Sequence, residues 1–456
     1  MSWKKHLRNI AIISAVALAG GYWYLTTPDE ARIPIAEMQG QAPRLDPMRR
    51  EGFPTIKIAD IIGWQGDAKP VAAAGLQVNA FADKLDHPRW MLELPNGDVL
   101  VAESSAPARK TQGIQDWIAR NLILKAGGAG GSPDRITLLR DADGDGVAEQ
   151  RSVLLSGLHS PFGMALVGET LYVANTDALM SFPFKVGETK ITAAGTKVLD
   201  LPHQLPNNHW ARNVIAAPDG QSLYITIGSN SNIGENDMET EKDRAQIKQY
   251  DLKTRELSTF AYGLRNPNGL AFNPKSGTLW TVVNERDMLG SDGPPDYLTT
   301  VDFGTFYGWP FTFWGGIEDQ RVPQVRPDLK QYTKRPDYAL GPHVAALGLA
   351  FNTGATLGAT YANGAFIGMH GSWNRSPPSG YKVVFVPFND RGFPTGAKPV
   401  DVLTGFLNAK GAAQGRPVGV IIDRKGALLV ADDAGNRIWR VTAKAAPAAA
   451  PVAAAK

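Results

Sequence analysis

The sequence predicts an all-β protein, a six-bladed β-propeller carried behind an N-terminal membrane anchor or signal segment. Three observations support this. A pair of apolar strands joined by a glycine turn recurs six times, each pair is followed by further strand-like runs, and a polar loop precedes each first strand. A short four-stranded sheet cannot bury both faces alone, but six arranged around an axis cover one another.

The chain divides into four stretches. In residues 1–30, Lys4, Lys5 and Arg8 precede an uncharged run from Ile10 to Leu25, the pattern of an export signal or anchor. Tyr22, Trp23 and Tyr24 suit a membrane interface, which favours an uncleaved anchor with its basic end inside. The main body is then expected to be periplasmic or otherwise extracytoplasmic, attached to the membrane through this segment. Residues 31–74 are Pro-rich and irregular and read as a linker and N-terminal extension with one strand near Ile56 to Ile62. Residues 75–443 hold the repeats, and 444–456 are an Ala/Pro-rich tail with nothing to bury.

Within 75–443 the strand pairs fall at His87 to Ser105, Pro161 to Asp177, Ala211 to Asn230 and Asn266 to Asp287. They continue at Gly348 to Gly354 with Ala362 to Arg375, and at Pro417 to Arg437. Gly97, Gly168, Gly220, Gly277, Gly364 and Gly426 mark the turns. Arg135 to Asp141, Ile247 to Leu252, Tyr381 to Phe388 and Asn436 to Val441 read as outer strands. Helical spacing occurs at Gln112 to Ala126, where Ile114, Trp117, Ile118 and Leu122 share a face, and this stretch reads as an insertion in the first blade.

Composition narrows the function. With 43% hydrophobic and 20% charged residues the chain is globular, and a net charge of +3 without a basic run excludes a nucleic-acid-tracking surface. Cysteine is absent, which excludes disulfides, thiolate metal sites and covalent haem. Electrons leaving this protein would pass to an external acceptor.

In a propeller, the loops that enter the innermost strands and those that leave the second strands converge at one mouth of the channel. Here they supply His87, Arg89, Ser160, His209, Arg212, Arg265, Asn266, His343 and Arg416, then Glu103, Asn175, Asn230, Asn284 to Asp287, His370, Arg375 and Asp432–Asp433. Four of the seven histidines lie in this ring. Arginine predominates, which favours a planar polyanion gripped by guanidinium forks, with Arg212, Arg265, Arg375 and Arg416 as candidate ligands. The richest loop, Leu205 to Gly220, carries His209, Arg212 and three asparagines.

Other motifs contribute less. Asp141 to Glu149 begins like a calcium loop, but Ser152 stands at the closing position, so a hairpin turn on an outer edge fits at least as well as a metal site. Gly127 to Ser132 reads as a flexible connection, and no Gly-x-Ser-x-Gly elbow is present.

With LRNPNGLAF (Leu264 to Phe272), NNHWARNVIAAPDG (Asn207 to Gly220), VNERDMLGSDGPPDYL (Val283 to Leu298) and FYGWP (Phe306 to Pro310) in hand, the chain resembles the glucose/sorbosone dehydrogenase family, and within it the sorbosone branch, from about Gly75 to Ala443. The resemblance implies a quinoprotein oxidoreductase with pyrroloquinoline quinone and Ca2+ as cofactors, acting on a sugar or aldehyde (an aldose or a sorbosone-like compound). It makes His209 the general base that takes the substrate hydroxyl proton as hydride passes to the quinone, a task that suits an imidazole. It places Arg265 near the quinone oxygens and Asn266 beside the cofactor, and makes Arg416 a ligand to a cofactor carboxylate. Calcium is implied to come from the segment Glu285 to Asp292, with Glu285, Arg286 and Asp287 contributing through backbone or side chain. Two departures accompany the match. Asn208 replaces an aspartate before the histidine, and Met369 to Arg375 lacks the cofactor-binding lysine, so that His370 or Arg375 substitutes. Two other classes fit the ring. A metal-dependent lactonase would draw on Glu103, Asn175, Asn230, Glu285 and Asp432, and a non-catalytic binding propeller would use the loops for a partner.

Overall fold

Glycine turns and period-two apolar runs give strands that assemble, in chain order, into six antiparallel sheets. The computed structural model describes residues 2–52, 55–108 and 131–444, together with 111, 113, 117 and 121. Blade 1 is Pro88–Glu93, Val99–Glu103, Arg135–Arg140 and Gln150–Ser156, and blade 2 is Met164–Val167, Thr170–Ala174, Ala178–Pro183 and Thr196–Asp200. Blade 3 is Val214–Ala216, Ser222–Ile227, Gln246–Asp251 and Leu257–Tyr262, extended by Thr305–Phe306 in parallel. Blade 4 is Asn266–Phe272, Leu279–Asn284, Pro295–Thr300 and Tyr338–Pro342. Blade 5 is Ala346–Asn352, Gly364–Met369, Lys382–Pro387 and Val400–Thr404, with Val71–Ala72 added at its edge. Blade 6 is Pro417–Ile422, Leu428–Asp432 and Arg437–Ala443, and its fourth strand, Leu76–Ala82, comes from the other end of the chain.

The apolar interior is distributed between blades rather than gathered at a centre. Trp90 and Leu100 meet Phe162 and Leu171 between blades 1 and 2, and Leu179 meets Leu223 and Ile225 between blades 2 and 3. Tyr224 and Ile247 meet Leu270 and Tyr297, and Trp280 and Leu298 meet Ile367 and Val384. Phe366 and Phe385 meet Val430 and Trp439, and Phe81 and Ile438 meet Met91 and Val101. Each blade thus covers its neighbour. At the axis the innermost strands touch backbone to backbone: a Cβ on Gly269 would lie 2.7 Å from the Leu347 carbonyl oxygen, and one on Gly419 2.7 Å from that of Arg89.

The pairing of the first two strands is bulged in blades 1, 4, 5 and 6, at Pro88/Trp90, Pro267/Leu270, Ala346/Gly348 and Pro417/Val420. All four bulges lie at the mouth end, where an extra residue re-aims side chains.

Outside the ring, the reading of 31–74 as a linker is incomplete. Residues 29–64 run across the mouth loops of blades 4 to 6: Ala31 N donates to Ser376 O, Glu51 N to Met288 O, Lys57 N to Trp373 O and Ile62 N to Ala413 O. Near Ile56 to Ile62 there is a single bridge, Ile61 to Ala413, in place of the expected strand. Ser2–Thr26 is a helix of 25 residues exposing Trp3, Leu7, Ile10, Ile13, Val16, Leu18 and Trp23. No helix among the described residues is long and apolar enough to cross a membrane. The helix expected over 112–126 and the tail after Lys444 lie almost wholly outside the described residues.

Candidate active site

At the mouth, polar side chains join each blade to the next. Ser104 Oγ donates to Pro161 O at 2.5 Å, and Asn207 Nδ2 to Thr176 Oγ1 at 3.0 Å. Arg265 Nη2 donates to Asn232 Oδ1 at 2.9 Å, and Asn374 Nδ2 to Asp287 Oδ1 at 2.7 Å. His370 Nε2 donates to Asp433 at 2.9 Å, and Asp433 in turn binds Arg89 Nη1. These bonds close a circle through all six blades and bring the expected residues to one end of the channel.

His209 stands half-buried on the loop before Val214–Ala216. Its Nδ1 lies 2.8 Å from the Ser229 carbonyl oxygen and 2.9 Å from Ser229 Oγ. Because a carbonyl can only accept, Nδ1 carries the hydrogen and Nε2 keeps a lone pair. Burial, and next the charge of Arg265, push its pKa well below the usual histidine value. His209 is therefore a neutral base with a defined tautomer. Gly228 makes room for it: a Cβ there would fall 2.4 Å from Asn266 Oδ1 and 2.6 Å from His209 Cβ, so Asn266 lies near the base.

Arg265 meets five acceptors. Nε donates to Asn232 O at 3.1 Å, Nη1 to Glu285 O at 2.5 Å and Asn284 O at 3.4 Å, and Nη2 to Asn232 Oδ1 at 2.9 Å and Asp287 Oδ2 at 3.0 Å. With five N–H groups so engaged, it acts on the site through its charge more than through a spare hydrogen bond. Trp309, in the FYGWP run, donates Nε1 to the same Asn232 carbonyl at 2.9 Å, so that the two motifs meet on one residue.

Across the mouth, Asp433 is the anion shared by His370, Arg89 and, at 3.5 Å, His87. Burial alone would raise its pKa, but the surrounding histidines and Arg89 hold it far below the carboxylate range. His370 is pushed down to about 3 by burial and then by Arg416. Its Nε2 therefore donates to Asp433 as part of a neutral ring. Arg416 donates Nε to His370 O at 3.0 Å and Nη2 to Gly371 O at 2.7 Å, lying over the Tyr381 ring at 5.2 Å. Two buried atoms here, His87 Nε2 and Arg89 Nε, make no hydrogen bond. Arg89 against the one carboxylate, Arg416 beside it on backbone carbonyls, and two buried nitrogens without hydrogen bonds fit a planar group bearing carboxylates.

Three expectations require correction. Arg212 is fully buried behind His209, with Nη1 on His209 O at 2.6 Å and Nη2 on Pro202 O at 2.6 Å, so it braces the loop and does not face a cofactor. Arg375 is spent on Ser291 O and Pro377 O, both at 2.8 Å. At Glu285, Arg286 and Asp287 the donor set does not fit a calcium ion. Arg286, wholly buried, pairs with Glu285 at 3.0 Å and Asp319 at 3.3 Å and donates to Pro310 O and Thr312 O. The Glu285 carbonyl accepts from Arg265, and that of Asp287 from Asn232 and Arg321. The Asp287 carboxylate, despite its burial, is held at about 2 by Arg265 and then His343.

The carboxylates that a lactonase would need are committed in the same way. Glu103 binds Arg135 and Thr137, while Asp432 accepts from Trp64 Nε1 at 2.6 Å, Trp439 Nε1 at 2.9 Å and the amides of Arg416 and Gly435. The residues Asp141 to Glu149 form the expected hairpin turn in blade 1, and there Glu149 supplies the fourth carboxylate that Ser152 does not. A cleft of about 780 Å³ between Ser152 to Leu158 and the loop around Ile191 carries none of the histidines or arginines of the mouth.

A family model described as TrAA12-like matches residues 130–296 and 328–444, more than half of the chain. An uncharacterized protein of Borreliella burgdorferi is 30% identical over 62% of this chain and 76% of its own length. An aldose sugar dehydrogenase of Escherichia coli (strain K12) is 26% identical over 61% of this chain and 74% of its own. The pyrroloquinoline quinone-dependent pyranose dehydrogenase of Coprinopsis cinerea is 23% identical over 80% of this chain and 56% of its own. The holo PQQ domain of pyranose dehydrogenase from that organism superimposes with a TM-score of 0.65 at 20% identity, covering 85% of this chain and 100% of that one.

Proposed function

Because the chain belongs to the TrAA12-like family, we propose that it is a pyrroloquinoline quinone-dependent dehydrogenase that oxidises a sugar or an aldehyde hydrate at a C–OH group. The observation that carries this reading is the pairing of a neutral, Nδ1-anchored base, His209, with a cluster of histidines and arginines across the same mouth in which His87 Nε2 and Arg89 Nε make no hydrogen bond. The relatives whose names state an activity are sugar dehydrogenases, and the Coprinopsis enzyme is named for its use of the quinone.

Arg89, His87, His370 and Arg416 would hold the quinone's carboxylates. When bound, the quinone supplies the two-electron acceptor for hydride from the substrate carbon. His209 receives the hydroxyl proton at Nε2, while Ser229 O keeps Nδ1–H in place. Arg265 contributes fixed positive charge beside the base, which favours the negative charge that develops as the hydroxyl loses its proton. Asn266, next to His209, is placed to orient the substrate hydroxyl. The electron acceptor is a separate molecule. The basic flank and exposed apolar helix at the N-terminus support an extracytoplasmic location through export or surface anchoring.

The test is titration of the purified chain with pyrroloquinoline quinone, with and without calcium, followed by absorbance during aldose or aldehyde addition. Saturable binding and reduction of the bound quinone are expected. Absence of binding at micromolar quinone would overturn the reading.

A further inference from the structure

Resting on the proposed reaction, we infer that Arg244 is a positioning residue for the base: it fixes the Ser229 carbonyl that selects the His209 tautomer. Behind His209 two buried guanidiniums converge on the same three acceptors. Arg212 reaches Pro202 O at 2.6 Å, Asn207 Oδ1 at 3.1 Å and His209 O at 2.6 Å. Arg244 reaches them at 3.2, 2.8 and 3.1 Å. Arg244 alone extends further, donating Nε to Gly228 O at 3.0 Å and Nη2 to Ser229 O at 3.3 Å. It therefore ties the end of the strand Ser222–Ile227 to the loop that carries His209.

The buttress behind Arg244 is itself closed. Asp237 begins the 3-10 turn Met238–Glu241, and the Glu241 carboxylate accepts from the amides of Asn230 and Ser231 at 2.7 and 2.9 Å. Asn230 Oδ1 accepts the Asn207 amide at 2.7 Å. The backbone around Ser229 is thus fixed from several sides, its own amide donating to Arg265 O at 2.7 Å, and Arg244 is the guanidinium behind the loop that also reaches the Ser229 carbonyl oxygen. Among the described residues no carboxylate bonds to the His209 ring: the charged groups acting on it are Arg265, Arg244 and Asp287, and its Nδ1–H is held by a neutral oxygen. Such a base depends on geometry for its orientation, because no carboxylate holds it by charge. A lysine in place of Arg244 keeps the charge but loses the fork that spans Gly228, Ser229 and Asn207.

The experiment uses 15N-histidine-labelled full chain without added cofactor, with Arg244→Lys and Arg212→Lys as the pair of variants and His209→Gln to assign the signals. In the wild type the His209 ring is expected as a single Nδ1–H tautomer with slow exchange of that proton. Arg244→Lys is expected to give mixed tautomers and faster exchange, and to lower kcat about 10- to 100-fold while KM and quinone affinity change by less than about 2-fold. Arg212→Lys, which leaves the bond to Ser229 O, is expected to keep the tautomer. A wild-type Nε2–H tautomer overturns the inference without any variant being needed. An Arg244→Lys protein with the wild-type tautomer and turnover also overturns it, as does loss of thermal stability with no change in the ring signals. If the wild type fails to oxidise sugars, the proposed function falls, while the ring signals still decide the role of Arg244.

Discussion

The two sides of the mouth use the same residue types for opposite ends. On the side of blades 3 and 4, Arg212, Arg244 and Arg265 are spent on protein carbonyls and one carboxylate, and together they stiffen a loop and set a field around one histidine. On the side of blades 5, 6 and 1, Arg89, His370 and His87 gather around a single carboxylate, Asp433, with Arg416 beside them on the His370 and Gly371 carbonyls. Guanidiniums spread over several backbone carbonyls are scaffolding, whereas Arg89, set against one carboxylate among histidines, belongs to a receiving surface. Counting arginines in a sequence cannot separate the two. Only the acceptors do.

That contrast can be broken first at the base. His209→Ala is expected to lower turnover by at least about 100-fold while leaving quinone binding within about 2-fold, checked by steady-state kinetics beside a cofactor titration. Retained turnover would remove the catalytic side of the comparison. Next, Arg89→Gln should weaken quinone affinity by about 10- to 100-fold, the loss of a charge-assisted hydrogen bond. Isothermal titration would show it, and unchanged affinity would remove the receiving side. A smaller effect sharpens the electrostatics. The charge of Arg265 opposes protonation of His209, so Arg265→Gln should let the base protonate at higher pH. The acidic limb of kcat/KM is then expected to move upward from its wild-type position, and a limb that stays put or falls would contradict the assignment. The smallest effect belongs to the overlying segment. Trp64→Phe removes the 2.6 Å donor to Asp432 but keeps the edge contacts with Phe406 and Trp439, for a cost of about 1 kcal/mol in chemical denaturation and little change in turnover.

The blades were legible because each obeys a local rule: an apolar alternation, a turn glycine and a polar entry loop. His209, Asn266, Arg265, His370 and Arg416 were legible because the topology alone puts their loops at one mouth. Arg244 was not, since it precedes an outer-facing strand and looks like any charge before Gln246–Asp251. Its role depends on the bend of the chain through Asp237 to Glu241, which no periodicity reports. Arg212 and Arg375 were misplaced for the related reason that the loops at the mouth also hold the braces. The Glu285 to Asp287 run was a ligand set by resemblance alone, and in this chain each of its charged side chains has a protein partner instead. Trp64 lies in a stretch whose proline content hid its contact with the last blade.

The pairing of Leu76–Ala82 with Arg437–Ala443 also governs how the molecule comes into being. Its register joins Leu76 to Ala443, so the circle stays open until nearly the whole chain has been synthesised. Early blades can form as local meanders, but the last one must wait for a partner held at the far end of the polypeptide, a contact of very high sequence separation and correspondingly slow search. Until the two strands meet, Leu76–Ala82 has no partner, and the Arg437–Ala443 edge, once made, is open to association with other chains. A shortened polypeptide that begins after Ala82 would leave that edge permanently bare, with aggregation as its characteristic fate.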